Sequence, residues 1–201
     1  IEELLAVEDN SESRRFSVDR RSIPQNLALG TSARSAVSTV EAAPEVDILI
    51  FLDADGSFDA QEIPLLIEPI ERGEAELVLG SRLAGRREPG AMPLHGVFGN
   101  WLVAKTISRL AGIALTDLGP FRAIKRETLA CLRMEERTYG WPSEMIVKAV
   151  QQGVPIREVP VRYRRRRGGH SKVSGTWWGT LGASYRILQV TLKYAGTHRA
   201  R

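Results

Sequence analysis

The chain opens with a polar and charged stretch, residues 1–21, that has no clear hydrophobic period. This predicts a segment with little order, or only part of a helix. From Asn26 to Ala43 small residues dominate. Leu29, Ala33, Ala36, Val37 and Val40 recur there as on a helix laid closely against a sheet. Val46–Leu52 is β-branched and, after Asp47, continuously apolar, the pattern of a strand covered on both faces. Asp59–Arg72 then places Ile63, Leu66, Ile67 and Ile70 on one helical face and ends at Gly73. Ala75–Leu79 reads as a second buried strand, so strand, helix and strand make a βαβ unit. If the two strands are neighbours, the residues that follow them face one crevice.

The second half alternates in the same way. Leu83–Pro93, rich in Gly, Pro and Arg, predicts a loop. Leu94–Ala111 predicts an amphipathic helix with apolar positions Leu94, Val97, Phe98, Trp101, Leu102 and Ile107. A turn at Asp117–Pro120 leads into a strand, Phe121–Ile124, and Glu127–Leu132 is helix-like and would bury Cys131. Trp141–Gln152 predicts a helix with Pro142 in its first turn, and Val154–Tyr163 a strand. A basic loop, Arg164–Ser174, precedes a last helix, Thr176–Tyr194, whose apolar contacts would be Trp177, Leu181, Ile187, Leu188 and Leu192. The organisation expected is an atypical segment 1–25, one α/β domain over 26–195, and a tail, 196–201.

Composition narrows the class. A chain of 201 residues with 43% hydrophobic and 26% charged positions suits one globular domain with a real core. The lone Cys131 excludes an internal disulfide and a cysteine-rich zinc site, and His95, His170 and His198 match no ligand spacing. No apolar run is long enough to span a bilayer, and Ile1-Glu2-Glu3 lacks the features of a signal peptide. The absence of an initiating Met suggests a fragment, and an intracellular setting fits the cysteine usage. The net charge of +4 is uneven: Arg162, Arg164, Arg165, Arg166, Arg167 and Lys172 cluster in one segment. Such a cluster suits phosphates of a ligand, a membrane or a nucleic acid, or is a solvated loop. A nucleic-acid module would interleave exposed aromatics with the basic residues, whereas Trp177 and Trp178 fall in a helix, so nucleic acid is not the expected partner.

The strongest chemical signal is Asp53-Ala54-Asp55 directly after a buried strand. In open α/β sheets ligands bind beyond the carboxyl ends of strands. Two carboxylates there suit a hard cation, Mg²⁺ or Mn²⁺, shared with substrate phosphates, although turns also favour Asp and Gly. Arg82, after the next strand, is a phosphate ligand or a partner of Glu76 or Glu88. Asp117 either lines a sugar or acceptor site or caps a turn. Glu144 either is a base or complements a helix dipole, and Tyr139 and Trp141 offer surfaces on which a sugar could stack.

Six stretches in this order carry a resemblance. They are Ile50–Ser57, Leu77–Arg82, Thr116–Ile124, Tyr139–Trp141 with Glu144, Glu158–Tyr163, and Gly169–Thr176. Over Asn26–Tyr194 the chain resembles glycosyltransferase family 2, in its dolichol-phosphate mannosyltransferase-like, polyprenyl-phosphate branch. The resemblance implies a GT-A fold, α/β, with a mostly parallel, Rossmann-like sheet flanked by helices. It implies a metal held by Asp53 and Asp55, a nucleotide-diphosphate sugar as donor, and inversion at the anomeric carbon. Arg82 and Arg122 would lie near the phosphates. Arg165, Arg166, Lys172 and Ser174 would match a loop that covers the acceptor phosphate. Asp117 and Glu144, with Tyr139 and Trp141, would sit at the sugar and the acceptor. A polyprenyl phosphate acceptor would place the protein at the cytoplasmic membrane face. The front of the chain departs from the family, with no recognisable first strands before Asn26. A truncated or altered start follows, and a remnant without catalytic activity is the alternative reading.

Overall fold

The computed structural model describes residues 47–53, 55–136, 140–167, 185, 187 and 189–194, together with the backbone of residues 2–7. Five strands form one sheet in the order β1-β2-β4-β3-β5. They are β1 (Glu2–Val7), β2 (Ile48–Asp53), β3 (Leu77–Ser81), β4 (Arg122–Lys125) and β5 (Ile156–Pro160). The helices are α1 (Ile63–Glu71), α2 (Leu94–Ala111), α3 (Arg126–Leu132) and α4 (Trp141–Gln151), with a 3-10 turn at Ala60–Glu62 before α1.

The sheet is mixed. Strand β4 pairs antiparallel with both β2 and β3, so β2 and β3 share a direction, and β5 joins β3 in parallel. The expected neighbours β2 and β3 are therefore separated by β4. A crossover through α1 requires only that its two strands run the same way. The gap between them is filled by a short strand whose Ala123 and Ile124 are fully buried. The front of the chain differs from expectation as well: Glu2–Val7 is a strand, antiparallel to β2. The edge of β2 offers backbone donors and acceptors, and pairing there overrides a sequence that lacks strand periodicity.

Alternation along the strands splits the core into two layers. Leu49, Phe51, Leu77, Leu79 and Ile124 face α2, α3 and α4, where Val103, Ile107, Leu129 and Met145 meet them. Ile50, Leu52, Val78, Phe121 and Ala123 face α1 through Leu66, Ile67 and Ile70. Each Val, Leu, Ile, Phe or Met among them contributes about 1.5–3 kcal/mol on burial. Among the described residues no helix is long and apolar enough to cross a membrane.

Three expectations about burial are corrected. Cys131 is exposed, because α3 turns Thr128, Leu129 and Leu132 inward and leaves position 131 on the outer face. Helix α2 buries Val103, Ala104 and Ile107, while Leu94, Phe98, Trp101 and Leu102 face outward. In the last helical segment Val190 and Tyr194 pack on Val147 of α4, whereas Leu192 is exposed. The helix expected over Asn26–Ala43 and the positions Trp177, Leu181 and Leu188 lie outside the described residues.

Candidate active site at the carboxyl edge of the sheet

Because β2, β3 and β5 run the same way, their carboxyl ends meet at one edge. The antiparallel β4 starts at that edge, with Arg122 opposite both Phe51 and Leu79. Asp53 and Asp55, Arg82, Asp117 and the basic segment after β5 are thereby gathered together, although β4 separates the two strands that carry Asp53 and Arg82.

The segment after β5 is tied down on both sides. Tyr163 pairs with the loop after β3, its N–H donating to the Arg86 carbonyl at 2.9 Å and its carbonyl accepting from Glu88 N–H at 2.8 Å. The Arg165 N–H donates to Glu88 Oε2 at 2.6 Å and its Nε to the Pro89 carbonyl at 2.7 Å. On the other side Arg164 N–H donates to the Ser57 carbonyl (2.8 Å) and Arg167 N–H to the Asp55 carbonyl (3.0 Å). The Arg164 guanidinium reaches Asp59 at 2.6 Å. Gly56 turns the chain with φ +74°, which side-chain-bearing residues rarely adopt, and Arg167 lies against it.

The two aspartates have unequal partners. Asp55 Oδ1 accepts from the Ser57 N–H at 2.9 Å. Its Oδ2 is buried and receives no hydrogen bond, and the Ser57 hydroxyl is likewise buried without one. Arg166 Nε stands 2.7 Å from Oδ2 as an ion pair, off the hydrogen-bonding direction. Burial raises the Asp53 carboxyl above its ordinary range, and the Asp55 carboxylate adds to this against the opposing charges of Arg166 and Arg82. A hard divalent cation fits these oxygens: it would satisfy Asp55 Oδ2 and relieve the repulsion between the carboxylates. Among the described residues no three His, Cys, Asp or Glu side chains converge. The remaining ligands would therefore be diphosphate oxygens and water, the usual arrangement for Mg²⁺.

Asp117 and Arg82 form a different kind of pair. Arg82 donates through Nε to Asp117 Oδ2 (2.8 Å), through Nη2 to Oδ1 (2.7 Å) and through its backbone N–H to Oδ2 (2.6 Å). Asn100 Nδ2 supplies a fourth bond, to Oδ1 at 2.8 Å. Burial acts to raise the Asp117 carboxyl, but the Arg82 charge and these bonds outweigh it and hold the group below its ordinary range. Gly119 makes room for this knot, since a Cβ there would stand 2.9 Å from the Gly80 carbonyl. The Arg82 guanidinium also lies over the Tyr163 ring, 5.3 Å from its centroid. Its partner is Asp117, not Glu76 or Glu88, because Glu76 accepts from Thr128 and Glu88 from Arg165. Asp117 is thus corrected as a candidate base, since every bonding site of its carboxylate is taken.

Three other expected site residues belong to the core. Arg122 is fully buried, donating to the Gly119 carbonyl (2.6 Å) and the Pro142 carbonyl (3.2 Å), which places it away from any phosphate that approaches from solvent. Trp141 is buried with Phe51 at 5.3 Å and the Arg122 guanidinium over its ring at 4.8 Å, so its faces are not open to a sugar. Glu144 is fully buried, and its oxygens accept from Glu135 N–H (2.8 Å) and Glu136 N–H (2.7 Å) and pair with Lys148 (2.8 Å). It anchors the connection before α4 and has no oxygen left to act as a base. Tyr139, Lys172 and Ser174 lie outside the described residues.

Residues that the sequence reading passed over complete the edge. Asn100, the polar position on the inner side of α2, bridges Asp117 and the Leu118 N–H. Glu158 receives the N–H groups of Thr116 and Asp117 at 3.1 Å and 3.0 Å, and burial raises its carboxyl despite those bonds. The signal for both was a polar residue inside an otherwise apolar pattern.

Comparison with known proteins bears on this edge. The family model described as Glycosyl transferase family 2 matches residues 9–133, starting within the segment set apart as atypical. An uncharacterized glycosyltransferase of Mycobacterium tuberculosis is 36% identical over 149 residues, 73% of this chain and 66% of that protein. The undecaprenyl-phosphate mannosyltransferase of Micrococcus luteus is 32% identical over 169 residues, covering 73% of this chain and 65% of the relative. Among solved structures, the glucosyl-3-phosphoglycerate synthase of M. tuberculosis, crystallised with Mn²⁺, UDP-glucose and phosphoglyceric acid, superposes with a TM-score of 0.59 at 20% identity, over 87% of this chain and 57% of that one. The fold is accordingly GT-A. The chain spans about two thirds, or less, of the length of the proteins it matches.

Proposed function

The chain belongs to glycosyl transferase family 2, and from that premise we propose that it serves sugar transfer from a nucleotide-diphosphate donor to a polyprenyl phosphate, with inversion, at the cytoplasmic face of a membrane. The observation that carries this reading is the Asp53–Asp55 pair at the end of β2, with a buried carboxylate oxygen that no hydrogen bond satisfies. A divalent metal held there would neutralise the charge that builds on the departing diphosphate. Asp53 and Asp55 hold it, and Gly56 and Ser57 fix the turn that aims Asp55.

The basic segment supplies the phosphate ligands. Arg166 stands at the Asp55 oxygen that a cation would use, and once displaced from it the guanidinium would be available to a phosphate. Arg165, held by Glu88 and Pro89, keeps the segment beside the edge. Lys172 and Ser174 would extend the same surface. Arg82 acts by positioning: locked on Asp117, it sets the loop after β3 and keeps positive charge near Asp53.

The state of the two candidate bases supports an acceptor that arrives ionised. A hydroxyl acceptor must lose a proton to a base in reach, and both Asp117 and Glu144 have their oxygens engaged. A phosphate acceptor carries its negative charge already. Two of the relatives are named for an acceptor of this kind, an undecaprenyl-phosphate mannosyltransferase and a polyprenol monophosphomannose synthase.

The test is direct. The chain is incubated with Mn²⁺, membranes containing undecaprenyl phosphate, and radiolabelled nucleotide sugars in turn. Transfer of label to the lipid phosphate, abolished by chelation, is expected. Label transferred only to hydroxyl acceptors, or no transfer from any donor, would contradict the reading.

A further inference from the structure

Glu158 lies half-buried in the middle of β5, an edge strand of the sheet. Burial raises its carboxyl, and the like charge of Asp117 adds to this. Among the described residues it forms no ion pair that would offset the cost. A set of donors from one short turn keeps it there. The Thr116 N–H lies 3.1 Å from Oε1 and 3.0 Å from Oε2, and the Thr116 hydroxyl donates to Oε2 at 2.9 Å. The Asp117 N–H donates to Oε1 at 3.0 Å. A carboxylate kept beside a second carboxylate, and bonded to the backbone of the residue that bears it, fastens that residue in place.

The fastening continues into the loop after β3. Asp117 Oδ2 accepts the Arg82 N–H and Nε, and Oδ1 accepts Nη2. A second path runs through hydroxyls. Thr116 gives its only hydroxyl proton to Glu158, so the Ser81 hydroxyl donates to Thr116 Oγ1 at 2.6 Å and itself accepts the Ala84 N–H at 2.9 Å. Ser81 and Asp117 are both buried, so water does not compete for these bonds. Asn100 grips the Asp117 carboxylate from α2, while Glu158 grips its backbone from β5. Arg82 is therefore set by a residue that is itself held at both ends.

We propose that Glu158 is a positioning residue for diphosphate binding: from β5 it holds the Thr116–Asp117 turn, and the turn holds the backbone and side chain of Arg82, which keeps the guanidinium at the carboxyl edge of the sheet. Glu158 touches no reacting group in this scheme and acts through Asp117 and Arg82. Its use in diphosphate binding rests on the reading of the β2 edge given above; the hold on Arg82 does not.

Two readouts on the whole chain separate the hold from its use. Amide hydrogen exchange is followed by NMR in wild type, E158A and E158Q. In E158A, exchange at Thr116, Asp117, Arg82 and Ala84 should quicken by about tenfold or more, the scale of one lost hydrogen bond to a charged group, while the amides of Ile50 and Ile146 keep their wild-type rates. E158Q keeps a carbonyl oxygen where Oε1 receives the two backbone N–H groups, so it should stay closer to wild type than E158A does. The second readout is affinity for Mn²⁺ alone, and for UDP or GDP with Mn²⁺. E158A should weaken diphosphate binding by about tenfold and leave binding of Mn²⁺ alone within about twofold, since Arg82 is not a ligand of the ion. Quickened exchange at Thr116 and Asp117 with Arg82 and Ala84 unchanged would overturn the proposal, because the turn would then be held without consequence for the arginine. Uniformly quickened exchange would overturn it too, by making Glu158 a general stabiliser. So would unchanged diphosphate affinity in E158A. A wild-type chain that binds no diphosphate would contradict the reading of the β2 edge instead, and the exchange pattern would still decide the hold on Arg82.

Discussion

Two carboxylate–arginine pairs stand at the same edge of the sheet and differ in how completely they are satisfied. Asp117 and Arg82 share three hydrogen bonds, Asn100 adds a fourth, and both side chains are nearly or wholly buried. Asp55 and Arg166 meet at one atom pair, Arg166 is about one-third exposed, and Asp55 Oδ2 has no hydrogen-bond donor. The first pair is a structural joint that fixes the loop after β3 against the turn before β4. The second is a site that still has bonding capacity to give a ligand. Residue type alone does not separate the two roles; the number of bonds still open does.

The largest effect that would break this contrast is on stability. Asp117→Ala leaves Arg82 buried without its partner and should cost about 3–5 kcal/mol of unfolding free energy in urea. Asp55→Ala removes a partly exposed pair that solvent screens and should cost no more than about 1 kcal/mol. Equal losses would erase the distinction. Close behind comes Trp141→Ala, expected to destabilise by about 3–5 kcal/mol as a core cavity. If Trp141 were a sugar platform instead, stability would hold and only donor or acceptor affinity would fall.

The pH dependence sharpens the same comparison. The Asp117 carboxyl is held below its ordinary range, so its contribution is complete above the unfolded value of about 3.9 and is lost as pH falls through the folded value. Wild-type stability should therefore drop in acid below about pH 4 more steeply than that of Asp117→Asn. Parallel acid profiles would mean that Asp117 is not the anchor described. The smallest effect concerns Arg166→Ala. Removing the competing cation should strengthen Mn²⁺ binding by no more than about fivefold, the scale of a partly exposed ion pair. Weaker Mn²⁺ binding in that variant would mean that Arg166 assists the metal rather than competes with it.

Much of the scaffold was legible in the chain. The continuous apolar run before Asp53 gave β2, and the Leu94–Ala111 and Trp141 helices fall where periodicity placed them, the latter ending at Gln151. Pairing order was not legible, because a crossover constrains strand direction and leaves open which strand fills the gap. Arg122, Trp141 and Glu144 show the limit at the site. Each has a residue type suited to ligand chemistry, and each is used inside the fold, where buried charge is tolerated because carbonyls, N–H groups or a lysine meet it. The outward face of α2 shows the converse. Periodicity located an apolar stripe, but only packing shows that Gly96, Val103 and Ile107 form the inner side.

The most direct test of the account follows Mn²⁺ by electron paramagnetic resonance as the chain and a nucleoside diphosphate are added. Wild-type chain should bind the ion together with the diphosphate, and Asp55→Asn should weaken this by more than about tenfold with the fold intact by circular dichroism. Undiminished Mn²⁺ and diphosphate binding in the folded Asp55→Asn variant would contradict the assignment of the β2 edge as the metal site.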